Sequence, residues 1–207
     1  MKIYLIRHGE SVSDVKEKYD GDYDDRLTDK GLDEAKIIAE KLLDNNIQVI
    51  FSSSKVRALE TSEVLKKILK GEVIISKDLN ERDIYGAFQN LSKDYPEEEY
   101  RRLGEMVSDQ EVGVEGVETF SHFKNRITEG FLKITDNDYQ TIAIITHGGP
   151  IRCILRDVLK LGEIKKIDNG AIIELEKNNS KFKIIKTEGV DFSRLSSRAK
   201  EGSRLVT

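Results

Sequence analysis

Short apolar runs that alternate with amphipathic stretches are the feature that most constrains the fold of this chain. The runs occupy residues 2–6, 48–51, 72–75 and 141–146. The first has the pattern of a strand buried on both faces, the other three predict further strands, and the stretches between them carry apolar residues at helical spacing. The serines at 52–54 predict a cap for the helix that follows the second run. This alternation predicts an α/β fold, a three-layer sandwich whose mostly parallel central sheet is flanked by helices.

The chain of 207 residues is long enough for one good-sized core, so we expect a single domain over residues 1–190. Residues 78–118 interrupt the alternating pattern with many charges, which predicts a helical and loop insertion that serves as a lid. Residues 171–175 and 182–185 predict a hairpin. Residues 191–207 carry serines and charges with little apolar content, and we interpret them as a C-terminal tail.

Charge and cysteine content restrict the partners and the compartment. The net charge is −4, from 34 basic and 38 acidic residues without a basic block, which disfavours nucleic acid and anionic membranes as partners. The single cysteine, Cys153, excludes an internal disulfide and suits a reducing compartment. No run approaches the ~18 apolar residues of a membrane span. We expect a cytoplasmic protein, with its oligomeric state left open and a homodimer among the options.

Polar side chains follow the end of each predicted parallel strand. Arg7 and His8 follow the first strand, Arg57 follows the second, Glu81 lies shortly after the third and His147 follows the fourth. Ligands of open α/β sheets bind beyond the carboxyl ends of the strands. We therefore expect these side chains to converge on one edge of the sheet.

The types of these residues suit phosphoryl transfer. Arg7 and Arg57 could bind phosphoryl oxygens as planar bidentate donors. A neutral imidazole at His8 could act as the nucleophile if its other ring nitrogen is held as N–H. His147 could donate to a phosphoryl oxygen, and Glu81 could protonate the leaving oxygen. Three histidines without a tight acidic or cysteine cluster do not predict a metal site.

Six ordered segments resemble the histidine phosphatase superfamily, the phosphoglycerate-mutase-like group. A lone Arg-His-Gly would be weak support, but six segments in the expected order with the expected gaps are specific. The resemblance covers roughly residues 1–187. The segments are LIRHGES at 5–11, LTDKG at 27–31, SSSKVRALET at 52–61, LNER at 79–82, GVET at 116–119 and THGG at 146–149.

The resemblance implies a phosphohistidine intermediate on His8 and proton transfer by Glu81, without a metal ion or other cofactor. Asp14 departs from the family pattern, since many members carry asparagine there. A negative charge at this position could weaken anion binding, or it could point away from the anion. The candidate phosphate-binding and substrate-binding residues are Arg7, Arg57, His147, Ser11, Asp14 and Gly148.

Three functions are compatible with this pattern. The favoured one is a phosphatase that acts on a small-molecule phosphomonoester, and the alternative is a phosphoglycerate mutase that depends on 2,3-bisphosphoglycerate. The third is an inactive module that binds phosphorylated ligands. The stretch from Glu81 to Glu118 is shorter than in typical cofactor-dependent mutases, which must exclude water from the intermediate. Arg101 and Arg102 are either a solvated face or a site for a second anionic group of the substrate, and the natural substrate stays open.

Overall fold

A seven-stranded mixed sheet runs through the residues that the computed structural model describes, which are 1–15, 24–88, 91, 95–109, 113–196 and 204–205. The strand order is β3-β2-β4-β1-β5-β6-β7. In chain order the strands are β1 (Lys2–Arg7), β2 (Val49–Ser52), β3 (Glu72–Ile75), β4 (Thr141–Thr146), β5 (Gly162–Asn178), β6 (Lys181–Leu195) and β7 (Arg204–Leu205).

Helices cover both faces of this sheet. They are α1 (Val12–Val15), α2 (Asp29–Leu42), α3 (Val56–Leu69), α4 (Glu97–Ser108), α5 (Phe120–Thr135) and α6 (Gly148–Cys153), the last continued by a π turn over Ile154–Val158. Side chains of β1 alternate between two cores, because successive strand residues point to opposite faces. Ile3 and Leu5 pack with α5 and α6, whereas Tyr4 and Ile6 pack with α2 and α3. The predicted three-layer α/β fold is confirmed.

The parallel part of the sheet brings the predicted strand ends together. β1 pairs in parallel with β4, β4 with β2, and β2 with β3. Arg7 is in register with Thr146, and Ser52 is in register with Ile145. The chain segments that follow β1, β2 and β4 therefore leave the sheet at the same edge. β5 and β6 join in antiparallel fashion, so the sheet is mixed rather than wholly parallel.

The hairpin is longer than the sequence predicted. Strand β6 runs on to Leu195, through the first part of the expected tail. The physical reason is that Val190, Phe192 and Leu195 pack against the core beside β5 and the π turn, although charged residues separate them in the sequence. The remaining residues of the expected tail, apart from 204–205 and Ser196, lie outside the described residues.

The insertion between residues 78 and 118 contains one α-helix in its described part. A 3₁₀ turn at Tyr85–Phe88 precedes α4, and the Phe88 and Tyr100 rings lie 5.3 Å apart. Arg101 pairs with Glu98 and Glu105 on the exposed side of α4. The motion of a lid stays a prediction. Across the described ranges, no helix combines the length and apolar character needed to cross a bilayer.

Candidate active site

A cavity of about 250 Å³ opens at the carboxyl edge of the parallel strands. A larger groove of about 960 Å³ between α5 and the β5–β6 hairpin has no histidine or arginine among its described lining residues. Two expected ligands, Ser11 and His147, are almost fully buried and lie behind the wall of the smaller cavity. The residues that line the smaller cavity are Arg7, His8, Ser13, Asp14, Arg57, Glu81, Gly148, Gly149, Arg152 and Ile167.

The hydrogen bonds of His8 define its neutral tautomer. Its Nδ1 lies 2.7 Å from the carbonyl oxygen of Gly9, which can only accept, so Nδ1 carries the hydrogen. The Nε of Arg57, which can only donate, lies 3.1 Å from Nε2 of His8, so Nε2 keeps its lone pair. Burial, together with the charge of Arg57, lowers the pKa of His8 to about 3. At neutral pH the residue is therefore an uncharged imidazole with a defined basic nitrogen.

Arg7 is fixed in place by two of its three guanidinium nitrogens. Its two terminal nitrogens donate to the carbonyl of Ile167 at 2.8 Å and to the carboxylate of Asp14 at 2.6 Å. Its Nε is buried and has no hydrogen-bond partner in the described part of the chain. A buried donor of this kind is costly unless a ligand supplies the acceptor.

Asp14 is bound to its protein neighbours. It accepts from the backbone N–H and hydroxyl of Ser11, at 2.9 and 2.7 Å, and from the amide of Asn169 at 2.8 Å. Burial alone would raise the pKa of Asp14, but His8, the Ser11 hydrogen bonds and Arg7 together hold it below its ordinary value. The carboxylate thus orients Arg7, and the hydroxyl of Ser11 is committed to Asp14.

A second hydrogen-bond chain holds His147. The Oδ1 of Asn80 accepts from the backbone N–H of Ser54 at 2.9 Å, which defines the orientation of the amide. The hydroxyl of Ser53 donates to the same Oδ1 at 2.7 Å and so accepts from Nε2 of His147, also at 2.7 Å. Neutral His147 therefore carries its hydrogen on Nε2, and Nδ1 is buried without a partner in the described residues. Burial, with the positive charges nearby, lowers the pKa of His147 well below its usual range.

The prediction that serines cap α3 is wrong. The residue at the N-cap is Lys55, and its side chain makes no capping hydrogen bond. The hydroxyls of Ser53 and Ser54 bond to Asn80, and that of Ser53 also to His147. The hydroxyl of Ser53 does accept from the backbone N–H of Lys55 at 3.3 Å, but Lys55 is the N-cap residue, so this bond satisfies none of the first N–H groups of the helix.

The carboxylate of Glu81 rests on two backbone donors. Its Oε1 accepts from the N–H of Arg82 at 2.9 Å, and its Oε2 accepts from the N–H of Gly149 at 3.0 Å. A Cβ at position 149 would lie 2.1 Å from Oε1, so only glycine lets the carboxylate come this close. Residue 149 thereby sets the position of Glu81 at the cavity wall.

An arginine from α5 holds the loop that carries Glu81. Arg126 donates to the carbonyl oxygens of Asp78, Asn80 and Glu81 at 3.1, 2.8 and 2.9 Å. It also donates to both carboxylate oxygens of Glu118, each at 2.7 Å. Burial would raise the pKa of Glu118, but hydrogen bonds, first from Arg126, bring it below its ordinary value. The guanidinium of Arg126 thus connects the loop that carries Glu81 to helix α5 and to Glu118.

Sequence reasoning missed several of these residues. Gly149, Asn80 and Arg126 act by position, and one sequence cannot show which backbone groups a side chain will reach. Arg152 could have been proposed from the sequence, because it is the charged residue of the otherwise apolar stretch 150–155 that follows the THGG segment. His122 is an exposed partner of Glu118. In the described ranges, no cluster of three or more histidine, cysteine or acidic residues has an arrangement that could hold a metal ion.

Comparison with known proteins identifies the family of this chain. The sequence pattern described as histidine phosphatase superfamily (branch 1) matches residues 3–188. Phosphoglycerate mutase-like protein 4 of Arabidopsis thaliana is 32% identical over 160 residues, which cover 74% of this chain and 69% of that protein. Phosphoserine phosphatase 1 of Hydrogenobacter thermophilus is 29% identical over 161 residues, 74% of each chain.

A solved structure shows the same fold. The α-ribazole phosphatase from Shigella flexneri superposes with a TM-score of 0.70 at 21% sequence identity, over 96% of this chain and 98% of that one. At this identity the superposition supports the fold alone. The match of the family pattern over nearly the whole chain confirms the resemblance carried by the six segments. This chain therefore belongs to the histidine phosphatase superfamily, in its branch 1.

Proposed function

We propose that the protein is a phosphomonoester phosphatase that works through a phosphohistidine on His8. The observation that carries the proposal is the state of His8, whose buried Nε2 keeps its lone pair in a cavity lined by arginines. A neutral imidazole is a competent nucleophile toward phosphorus, and the surrounding cations offset the charge of the phosphoryl oxygens.

In the first step, Nε2 of His8 attacks phosphorus and the ester P–O bond breaks. The unpartnered Nε of Arg7 and the guanidinium of Arg57 bind the phosphoryl oxygens. Glu81, whose carboxyl group lines the same cavity, takes up a proton from solution when the anionic substrate binds and gives it to the leaving oxygen. The product is an alcohol and a phosphorylated His8.

In the second step, water attacks the phosphohistidine and the P–N bond breaks. Glu81, now a carboxylate, takes a proton from this water and so returns to its protonated form. Inorganic phosphate leaves, and Nε2 of His8 regains its lone pair. No atom other than those of the ester, water and the protein is needed for this balance.

His147 requires a change of protonation to act as expected. In the unliganded protein its hydrogen lies on Nε2 and is donated to Ser53, so Nδ1 has no hydrogen to give. A phosphoryl dianion beside the histidines favours the imidazolium form, whose Nδ1–H is a donor. We assign His147 as a phosphate ligand that takes up a proton when the substrate binds. Ser11, which is held by Asp14 behind the cavity, is assigned a positioning role.

A mutase is the second candidate, favoured by the identity to the mutase-like relative from Arabidopsis. The relative from Hydrogenobacter is named as a phosphatase, and the short stretch between Glu81 and Glu118 supports hydrolysis, because a mutase must keep water from its intermediate. The two activities differ in the acceptor of the phosphoryl group, water or a second hydroxyl.

The test is to incubate the protein with O-phosphoserine, sugar phosphates, nucleotides and 3-phosphoglycerate, with and without 2,3-bisphosphoglycerate. Release of inorganic phosphate without added cofactor supports the phosphatase, and the His8→Asn variant should lose it. Isomerisation of 3-phosphoglycerate that needs 2,3-bisphosphoglycerate would identify a mutase instead. Binding without any turnover would identify an inactive module.

A further inference from the structure

A third arginine lines the cavity beside the phosphoryl site. Arg152 lies on α6 and shares the cavity wall with Arg7 and Glu81. The Cβ position of Gly148 is 3.1 Å from a terminal nitrogen of Arg152 and 4.0 Å from Nε of Arg7. The two guanidinium groups therefore flank Gly148 at one side of the cavity, close enough to contact two groups of one small ligand.

Arg152 has no paired carboxylate among the described residues, although the charge of Glu81 acts on it from the same cavity. Arg7 is paired with Asp14, but Arg152 makes no hydrogen bond or ion pair with the described part of the chain. Burial, then the repulsion from Arg7, lowers the pKa of Arg152 despite the opposing effect of Glu81. A half-buried guanidinium without a partner is unfavourable, and an anionic ligand relieves this cost.

The phosphoryl group has enough donors without Arg152. The proposed ligands Arg7, Arg57 and His147 already address its oxygens, so a further planar donor fits a second anionic group. One unpaired guanidinium matches one monoanion, and a carboxylate is the planar monoanion that it binds through two parallel hydrogen bonds. A second phosphoryl dianion would call for more positive charge than this side of the cavity offers.

We propose that Arg152 is a specificity-determining residue that binds a carboxylate of the substrate. The substrate class is then the small phosphomonoester that bears a carboxylate near its phosphoester, and this inference rests on the proposed phosphatase function. It also assigns the second anion to Arg152 and not to Arg101, which pairs with two glutamates on α4 outside the cavity lining.

The test compares two substrates that differ only in the anionic group. 3-Phosphoglycerate has a carboxylate where glycerol 3-phosphate has a hydroxymethyl group. A charge-assisted pair is worth about 1.5–3 kcal/mol, so Arg152→Met should lower kcat/KM for 3-phosphoglycerate about 10- to 100-fold, mainly through KM. The loss for glycerol 3-phosphate should be several-fold smaller, because this substrate makes no use of that pair. The matched control is Arg101→Met, which should change neither.

A binding measurement separates this inference from the proposed function. In the His8→Asn background, calorimetry should show that adding Arg152→Met weakens the binding of 3-phosphoglycerate by a similar factor and the binding of glycerol 3-phosphate by a several-fold smaller one. Arg152→Lys keeps the positive charge but loses the two parallel N–H donors of the guanidinium. Its affinity for 3-phosphoglycerate should lie between that of the parent residue and that of Arg152→Met. Equal losses for both ligands, or no preference of the parent protein for the carboxylate, would overturn the assignment of Arg152. Full turnover by His8→Asn would instead overturn the phosphatase mechanism.

Discussion

Replacing Gly149 by alanine tests the placement of Glu81, the proposed general acid, without removing its carboxyl group. The new Cβ would lie 2.1 Å from Oε1 of Glu81, well inside van der Waals contact. The carboxylate must move by about 1 Å to reach ordinary contact distance, and it then loses its hydrogen bond to the N–H of residue 149. A misplacement of about 1 Å can cost on the order of 100-fold in rate. The backbone of Gly149 is not left-handed, so the effect is steric and not one of backbone strain.

The assay uses substrates whose leaving groups differ in their need for a proton. An alkyl phosphate must have its leaving oxygen protonated, whereas 4-nitrophenolate leaves readily without a proton. We expect Gly149→Ala to lower kcat/KM for an alkyl phosphate by about 100-fold and to affect 4-nitrophenyl phosphate much less, by about 10-fold or under.

The control is Gly104→Ala on α4, where a Cβ has no heavy atom within 4 Å. This variant should keep the parent rates with both substrates and should unfold at the same or a slightly higher temperature. Gly149 does not position Glu81 for proton transfer if Gly149→Ala hydrolyses alkyl phosphates at the parent rate. The same conclusion follows if kcat/KM falls by the same factor for both substrates.

Two further predictions concern the scaffold of the site. Since the pKa of His8 is lowered to about 3, the unfolded chain binds a proton below pH 6.5 that the folded protein does not. Stability is therefore lost as pH falls from about 6.5 toward 3, by about 1.4 kcal/mol per pH unit for this residue. When unfolding by denaturant is measured between pH 5 and 8, the free energy of unfolding of His8→Gln should depend less steeply on pH than that of the parent. Equal pH dependences would refute the burial of a neutral imidazole. Arg126→Met should leave Glu118 with only His122 and the backbone N–H of Asp83 as partners, and should release the loop that carries Glu81. We expect a loss of about 3 kcal/mol in stability and a fall in kcat larger than any rise in KM, and an unchanged kcat in folded protein would exclude a positioning role.

The fold followed from the sequence where the patterns were local. The apolar runs before Arg7, before Ser53 and before His147 are buried strands, and their parallel register brings the strand ends together. The hairpin was underestimated, because Phe192 and Leu195 find their apolar neighbours across the sheet and not in the adjacent sequence. Short-range periodicity cannot report contacts of that kind.

The sequence indicated which residues would meet at the candidate site, but not their hydrogen bonds. The motif segments predicted His8 and Glu81 as site residues, and both line one cavity, but the tautomer of His8 depends on a carbonyl and a guanidinium that only the folded chain brings to its two nitrogens. The serines before α3 had the composition of a helix cap, and the long-range contact between Ser53 and His147 outweighed that local preference. Such a contact becomes visible only when distant segments are placed in space.

The position of the phosphoryl group on the trapped enzyme tests whether Nε2 of His8 is the nucleophile. The protein is mixed with a labelled phosphomonoester and quenched in alkali, and the labelled peptide is examined by mass spectrometry and by phosphorus NMR. Because Nδ1 of His8 donates to the Gly9 carbonyl and Nε2 holds the lone pair, we expect an acid-labile phosphoryl group on Nε2 of His8. A phosphoryl group on Nδ1 or on another residue, or turnover without any phosphoenzyme, would contradict it.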